Sequence, residues 1–135
     1  MKRLQTRPQF QAVLNAPAVA KSAHFVMHRL DTKLQPSELS AQTLHALPLF
    51  DNAVRLGAMI PKRWAKRAVT RNALKRQVYA VGASLEQQFS CAAYLVRLRA
   101  EFSRQLFQSA SSESLKTAAR LELVDLIKMG LQAKG

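Results

Sequence analysis

The side chains with most chemical potential lie between residues 62 and 79, which read KRWAKRAVTRNALKRQVY. Lys62, Arg63, Lys66, Arg67, Arg71, Lys75 and Arg76 fall there with no acid among them; the nearest are Asp51 and Glu86. A solvated helix face normally interleaves both signs, because like charges at helical spacing repel. A face of one sign favours an anion between its charges, and the phosphate backbone of a nucleic acid is the obvious one. Arg can hold phosphate bidentately, and Lys supplies a mobile point charge. Asn72 can reach a base edge or a 2′-hydroxyl.

These residues need an element to position them. No Gly or Pro falls between Pro61 and Gly82, so a helix is predicted. Pro61 suits its approach, Gly82 suits its stop, and Thr70 suits the N-cap of a late-starting helix. At about 100° per residue, Arg71, Asn72, Lys75, Arg76 and Tyr79 share one arc, with Leu74, Val78 and Val81 opposite. The helix thus has a core face and a polar face.

The whole composition agrees. The 135 residues carry 21 basic and 8 acidic side chains, a net charge of +13, and the pI is near 11.0. A polyanionic partner follows. With 48% hydrophobic residues, one domain over residues 1–135 can build a real core. No run reaches transmembrane length, and the basic helix lacks the broad apolar face of a membrane anchor. The N-terminus is a poor signal peptide, its apolar residues being broken by Gln and Pro. Cys91 stands alone, which fits a reducing cytoplasm.

Around the basic stretch the chain reads as alternating elements. Gln9 to Asn15 is a short helical candidate, with Phe10, Val13 and Leu14 at i, i+3 and i+4, Pro8 in its first turn and Pro17 ending it. His24 to Asp31 reads as a strand with Phe25, Met27 and Arg29 on one face and His24, Val26, His28 and Leu30 on the other. His24 and His28 would be roughly 13 Å apart on a strand, too far to share a metal ion. A partly exposed structural role suits His28. Ala53 to Ile60 reads as a buried strand with Val54, Leu56, Ala58 and Ile60 on one face. Gly57 falls on the other, where it admits a close neighbour. Ala92 to Arg99 is a third strand. A closing helix spans about Ser114 to Leu131, with Leu115, Ala118, Ala119, Leu123, Leu126 and Ile127 as its stripe. Residues 32–52 are long and mixed, and residues 101–112 are polar.

No catalytic constellation emerges. The acids are scattered, no nucleophile motif is present, and the strand entering the basic helix lacks a phosphate-binding GxxxxGK[ST] loop. Nucleic-acid binding without chemistry is therefore the reading from residues alone. A helix-turn-helix DNA binder fits poorly, because a strand precedes the basic helix and a long chain follows it. A protein-only nuclease fits poorly for want of acids. A structural RNA-binding protein of ribosomal type, with no role in cleavage, is the alternative.

The motifs resemble those of the protein subunit of bacterial ribonuclease P. GAMIPKR at 57–63 is similar to the family's strand end, and RNALKR at 71–76 to its RNxxKR helix. RLQTRPQFQAVL at 3–14 looks like its opening helix and HFVMHRLD at 24–31 its next strand. The resemblance implies an α/β sandwich of order αβββαβα, a central sheet with packed helices and a left-handed βαβ crossover. Three strands and three helices can be placed; the fourth strand cannot. The resemblance implies that the chain is an accessory subunit of an endoribonuclease. The catalyst is then the RNA subunit, using Mg²⁺ held through RNA to remove the 5′ leader of precursor tRNA. Ribonuclease P RNA and precursor tRNA become the expected partners, with no DNA and no membrane. Arg71, Asn72, Lys75 and Arg76 match the RNA-binding helix, and Lys62, Arg63, Lys66 and Arg67 its entry. Phe10 matches an aromatic of the leader-binding cleft. The chain departs from the pattern at Ala73, where a third basic residue is common, and at Leu14 and His28, which stand where cleft aromatics occur.

Overall fold

The computed structural model describes residues 1–31, 53–103 and 113–132. The mixed segment 32–52 and most of the polar stretch to Ser112 lie outside them. In chain order the elements are β1 (Lys2–Arg3), α1 (Arg7–Leu14), β2 (Ala18–Lys21), β3 (Phe25–Leu30), β4 (Arg55–Met59), α2 (Ala68–Ser84), β5 (Ala93–Leu98) and α3 (Glu113–Gln132). Apart from the two-residue β1, this is the expected order αβββαβα. The missing fourth strand is β2, only four residues long and broken by a register shift between Ala18 and Ala20.

The sheet runs β1-β4-β5-β3-β2. Strands β4 and β5 pair in parallel across α2, whereas β3 is antiparallel to both β5 and β2. One face packs under α2 and α3. Leu56, Ala58, Tyr94, Val96, Leu98, Phe25 and Met27 meet Leu74, Val78, Val81, Leu123, Leu126 and Ile127 there. Among the described residues the other face packs under α1, in a smaller cluster of Leu4, Ala12, Val13, Ala93 and Leu95. Strand alternation thus divides as predicted.

Helix α1 is set by its first turn. The Thr6 hydroxyl accepts from the Gln9 amide at 3.3 Å while the Gln9 side-chain oxygen accepts from the Thr6 amide at 3.3 Å, a reciprocal cap with Pro8 inside it. The helix crosses the sheet above Gly57, Leu95 and His28, which stand side by side in register. A β-carbon on Gly57 would lie 2.6 Å from Leu4 Cδ1 and 2.8 Å from Phe10 Cε1. Gly57 therefore seats α1 on the sheet, as its place on the strand suggested.

Helix α2 differs from the prediction at both ends. It starts at Ala68, with Arg67 in extended backbone at the N-cap and no side-chain cap, so Thr70 lies inside the first turn. Gly82 is not the stop but a buried residue of the helix, where a β-carbon would meet Leu56 Cδ2 at 2.5 Å. Its small size lets α2 approach the sheet closely. In α3 the predicted stripe is buried except for half-buried Ala118, and Gly130 joins it against Met27.

A polar lock ties α3 to the β2–β3 hairpin. Glu122 accepts from the Ser22 hydroxyl, from the His24 amide at 2.7 Å and from His24 Nδ1 at 2.7 Å, while Phe102 stacks on the His24 ring at 3.9 Å. Burial pushes the Glu122 carboxyl up, but the Ser22 and His24 hydrogen bonds and the His24 charge together outweigh it and hold the carboxyl below its usual value.

Two expectations follow. Gly57→Val should destabilise the fold by about 1–3 kcal/mol in urea denaturation, because the added methyls must displace Leu4 and Phe10. The folded Glu122 carboxyl binds its proton less readily than the unfolded one, so acid favours the unfolded chain. Its contribution is complete above pH 4.5 and is lost as pH falls through the lowered folded value. Glu122→Gln should reduce stability at neutral pH and flatten the acid limb of a stability–pH profile.

Candidate nucleic-acid interface

The seven cations occupy two settings rather than one helix. Lys62, Arg63, Lys66 and Arg67 are exposed on the connection from β4 to α2. That connection is a turn closed by the Trp64 and Ala65 amides, both donating to the Pro61 carbonyl at 3.1 Å. Trp64 is half-buried against the main core and anchors it, with the Arg63 guanidinium 5.5 Å from the ring centre. Asn72, Lys75 and Arg76 are exposed on α2 itself, opposite the buried Leu74, Val78 and Val81. The helical arc is therefore as predicted.

Arg71 departs from it. Its Nη1 donates back to the Ala65 carbonyl at 3.0 Å and the Lys66 carbonyl at 2.7 Å. The guanidinium fastens the basic turn to the first turn of α2, so Arg71 holds the neighbouring cations in place besides carrying a charge itself. Ala73, where a third exposed cation was looked for, is buried. A long basic side chain there would have to displace packing. Tyr79 is half-buried, and its hydroxyl accepts from the Ala58 amide at 3.1 Å, capping β4 beyond the last rung of short β1. Over its ring, 3.9 Å from the centre, sits the guanidinium of Arg3. Sequence reasoning missed Arg3, whose only signal was its place in an acid-free N-terminal stretch. Among the described residues no carboxylate pairs with Lys62, Arg63, Lys66, Arg67, Lys75 or Arg76.

A second feature lies on the opposite sheet face, beside α1. Phe10, Leu14, Leu30 and Met59 are half-buried there, packed against the smaller core cluster. His28 corrects the prediction of a partly exposed ring. It is 7% exposed, its Nδ1 lies 2.8 Å from the Ala16 carbonyl, and its Nε2 lies 3.1 Å from Arg97 Nε. A carbonyl only accepts and an arginine Nε–H only donates, so this geometry requires the neutral ring protonated on Nδ1. His28 ties the end of α1 to β5 and orients Arg97, and it offers no free nitrogen to a ligand. Arg97 is half-buried, beside Met59 in register.

A cationic helix and turn without acids, laid on a mixed five-stranded sheet, mark a basic α+β domain suited to a nucleic acid. A profile of the Ribonuclease P family matches residues 1–122. The ribonuclease P protein component of Ralstonia pickettii is 30% identical over 127 residues, covering 94% of this chain and 77% of that one. That of Paraburkholderia xenovorans is 28% identical over 125 residues, covering 93% and 77%. The RNase P protein of Staphylococcus aureus superposes with a TM-score of 0.64 over 96% of this chain and 94% of that one; at 16% identity this shows the fold. The chain belongs to the ribonuclease P protein family, the accessory subunits of an endoribonuclease of tRNA processing.

Arg71 and Arg76 should separate in their effects. Arg71→Ala removes two hydrogen bonds to backbone carbonyls and is expected to lower stability by about 1 kcal/mol. Arg76→Ala, on the open face, should stay within about 0.5 kcal/mol of the parent chain in urea denaturation. Equal stability of the two variants would show that the Arg71 contacts hold nothing.

Proposed function

We propose that residues 1–135 act as one RNA-binding domain that grips the RNA subunit of ribonuclease P with α2 and the turn before it. In the same reading, the sheet face beside α1 holds the 5′ leader of precursor tRNA. The observation that carries this reading is the acid-free run of cations from Lys62 to Arg76, fixed by Trp64 and Arg71 and facing away from the core. Each cation set against a phosphate releases counterions, so binding should weaken steeply with salt. Lys62, Arg63, Lys66 and Arg67 sit before the N-terminus of α2, where the helix dipole already favours an anion and where the first turn holds no acid.

The half-buried apolar side chains beside α1 suit a single strand better than a duplex. Single-stranded RNA binds by stacking on apolar and aromatic faces beside a positive edge. Phe10 supplies the aromatic face, Leu14 an apolar wall, and Arg97, oriented by His28, the charge. Phe10 also rests on Gly57, so the half-buried ring anchors α1 besides offering its face.

The face of α2 and the turn before it does not fit Mg²⁺. That ion takes oxygen ligands, typically carboxylates and water, and this face presents guanidinium, ammonium and amide groups. The Mg²⁺ of the holoenzyme is then held by RNA, and the protein's part is binding, orientation and charge neutralisation. Among the described residues no helix is long and apolar enough to cross a membrane, and a cytoplasmic location goes with the tRNA-processing role.

The test is reconstitution. The purified chain, mixed with its cognate ribonuclease P RNA and a precursor tRNA at low Mg²⁺, is expected to raise the rate of 5′ maturation. No stimulation would overturn the reading. Phe10→Ala should weaken holoenzyme binding to precursor tRNA by about tenfold, in line with the loss of one stacked base, and leave mature tRNA unchanged. Equal losses for both tRNA forms would mean that Phe10 only anchors α1.

A further inference from the structure

Between β1 and the exposed face of α2 lies a concavity of about 580 Å³, lined by Arg3, Asn72, Lys75, Arg76 and Tyr79. Ala80 and Ala83 complete it, and their small side chains leave it room. We infer that this concavity seats one unpaired nucleotide of the RNA subunit, with its base on the outer face of the Arg3 guanidinium and its phosphate against Lys75 and Arg76. The inference rests on the reading of α2 as the RNA-binding helix and adds to it a site of nucleotide size, built in part by the N-terminal strand.

The argument starts from Tyr79. Its hydroxyl is fixed by the Ala58 amide at 3.1 Å, so the ring does not swing freely. Arg3 lies over that ring at 3.9 Å. A guanidinium is a plane with two faces, and here one is taken by the phenol while the exposed side chain offers the other. Bases splayed out of a helix stack on arginine planes as they do on aromatic rings. The tyrosine therefore preorganises a stacking platform, which lowers the entropic cost of binding.

The rest of the lining fits the same ligand. Lys75 and Arg76 supply charge for the phosphate, and the Asn72 amide can donate to and accept from a base edge. No carboxylate lines the space. Its volume falls within the roughly 300–1,000 Å³ of small-ligand sites, more than a lone phosphate requires. A regular duplex shows base edges in its grooves but keeps its base faces stacked inside, so a base lying flat on the guanidinium is that of an unpaired nucleotide.

The experiment measures the affinity of the full chain for its cognate ribonuclease P RNA across a salt series, alongside 2′-hydroxyl acylation of that RNA. The variants are Arg3→Lys, Arg3→Ala and Arg76→Ala. Arg3→Lys keeps the charge and loses the plane. It is expected to lose about tenfold in affinity with an unchanged salt slope, and one unpaired nucleotide quietened by the parent chain should regain reactivity. Arg3→Ala should lose at least as much. Wild-type affinity and acylation with Arg3→Lys would overturn the seat, leaving Arg3 as a simple charge. Losses in both Arg3 variants that track a fall in melting temperature would also overturn it, as a structural clasp on Tyr79. Arg76→Ala tests the underlying reading separately. It should flatten the salt slope by about one; if it leaves slope and affinity intact, α2 is not the RNA-binding face and the inference falls with it.

Discussion

Burial of β5 on both of its faces sets the terms for the rest of the molecule. Tyr94, Val96 and Leu98 are sealed under α2 and α3, while Ala93 and Leu95 are sealed under α1, all at 1% exposure or less. A central strand buried along most of both faces needs neighbours on both edges and cover above and below. Strand β4 supplies one edge in parallel and β3 the other antiparallel. The parallel pairing forces a crossover between β4 and β5, and that crossover is α2. The same helix that carries the cations is thus one the core cannot do without.

This coupling explains how the charged face is tolerated. A like-charge pair at helical spacing costs a few tenths of a kcal/mol, whereas fully burying one Leu or Val contributes about 1.5–3 kcal/mol. Leu74, Val78 and Val81 alone outweigh the repulsion among Lys75, Arg76 and their neighbours. The helix does not need an anion to fold, which leaves its surface free to be selected for one. The asymmetry of cover matters equally. The two long helices pack on one sheet face, while among the described residues the eight-residue α1 packs on the other. Met59 and Arg97, paired in register, stay half-buried on the strands beside it.

The sequence shows some of this directly and hides the rest for identifiable reasons. Strand faces were readable because successive side chains point to opposite faces whatever covers each one, and β3, β4 and β5 are largely buried on both. The division of α2 was readable because Leu74 and Val78 lie opposite Arg71 and Lys75. Strand β2 was not, since AVAK is too short to carry a pattern and its bulge breaks the alternation. Thr70 and Gly82 look like caps by residue type. The helix end is decided instead by backbone bonds at Leu85, and Gly82 is kept small by Leu56, a contact between elements 26 residues apart in the chain. His28 and Arg71 were legible as candidates but not in their roles. Their partners are the carbonyls of Ala16, Ala65 and Lys66, and every residue has a carbonyl. Arg3 reaches Tyr79 only because β1 pairs with β4.

Several cations on the two proposed surfaces are oriented by neutral groups. Arg71 is held by two carbonyls, Arg97 by a neutral imidazole, and Arg3 by a phenol ring. Carboxylates would orient them more strongly but would also cancel the charge that a phosphate is to meet. The acids with described partners are spent elsewhere: Glu122 on the β2–β3 hairpin, Glu86 on the Met1 ammonium, Glu113 on Lys116. A neutral partner fixes direction and leaves the full positive charge outward. For the proposed role of placing positive charge around an RNA, that segregation of acids from oriented bases is the chemistry the fold provides.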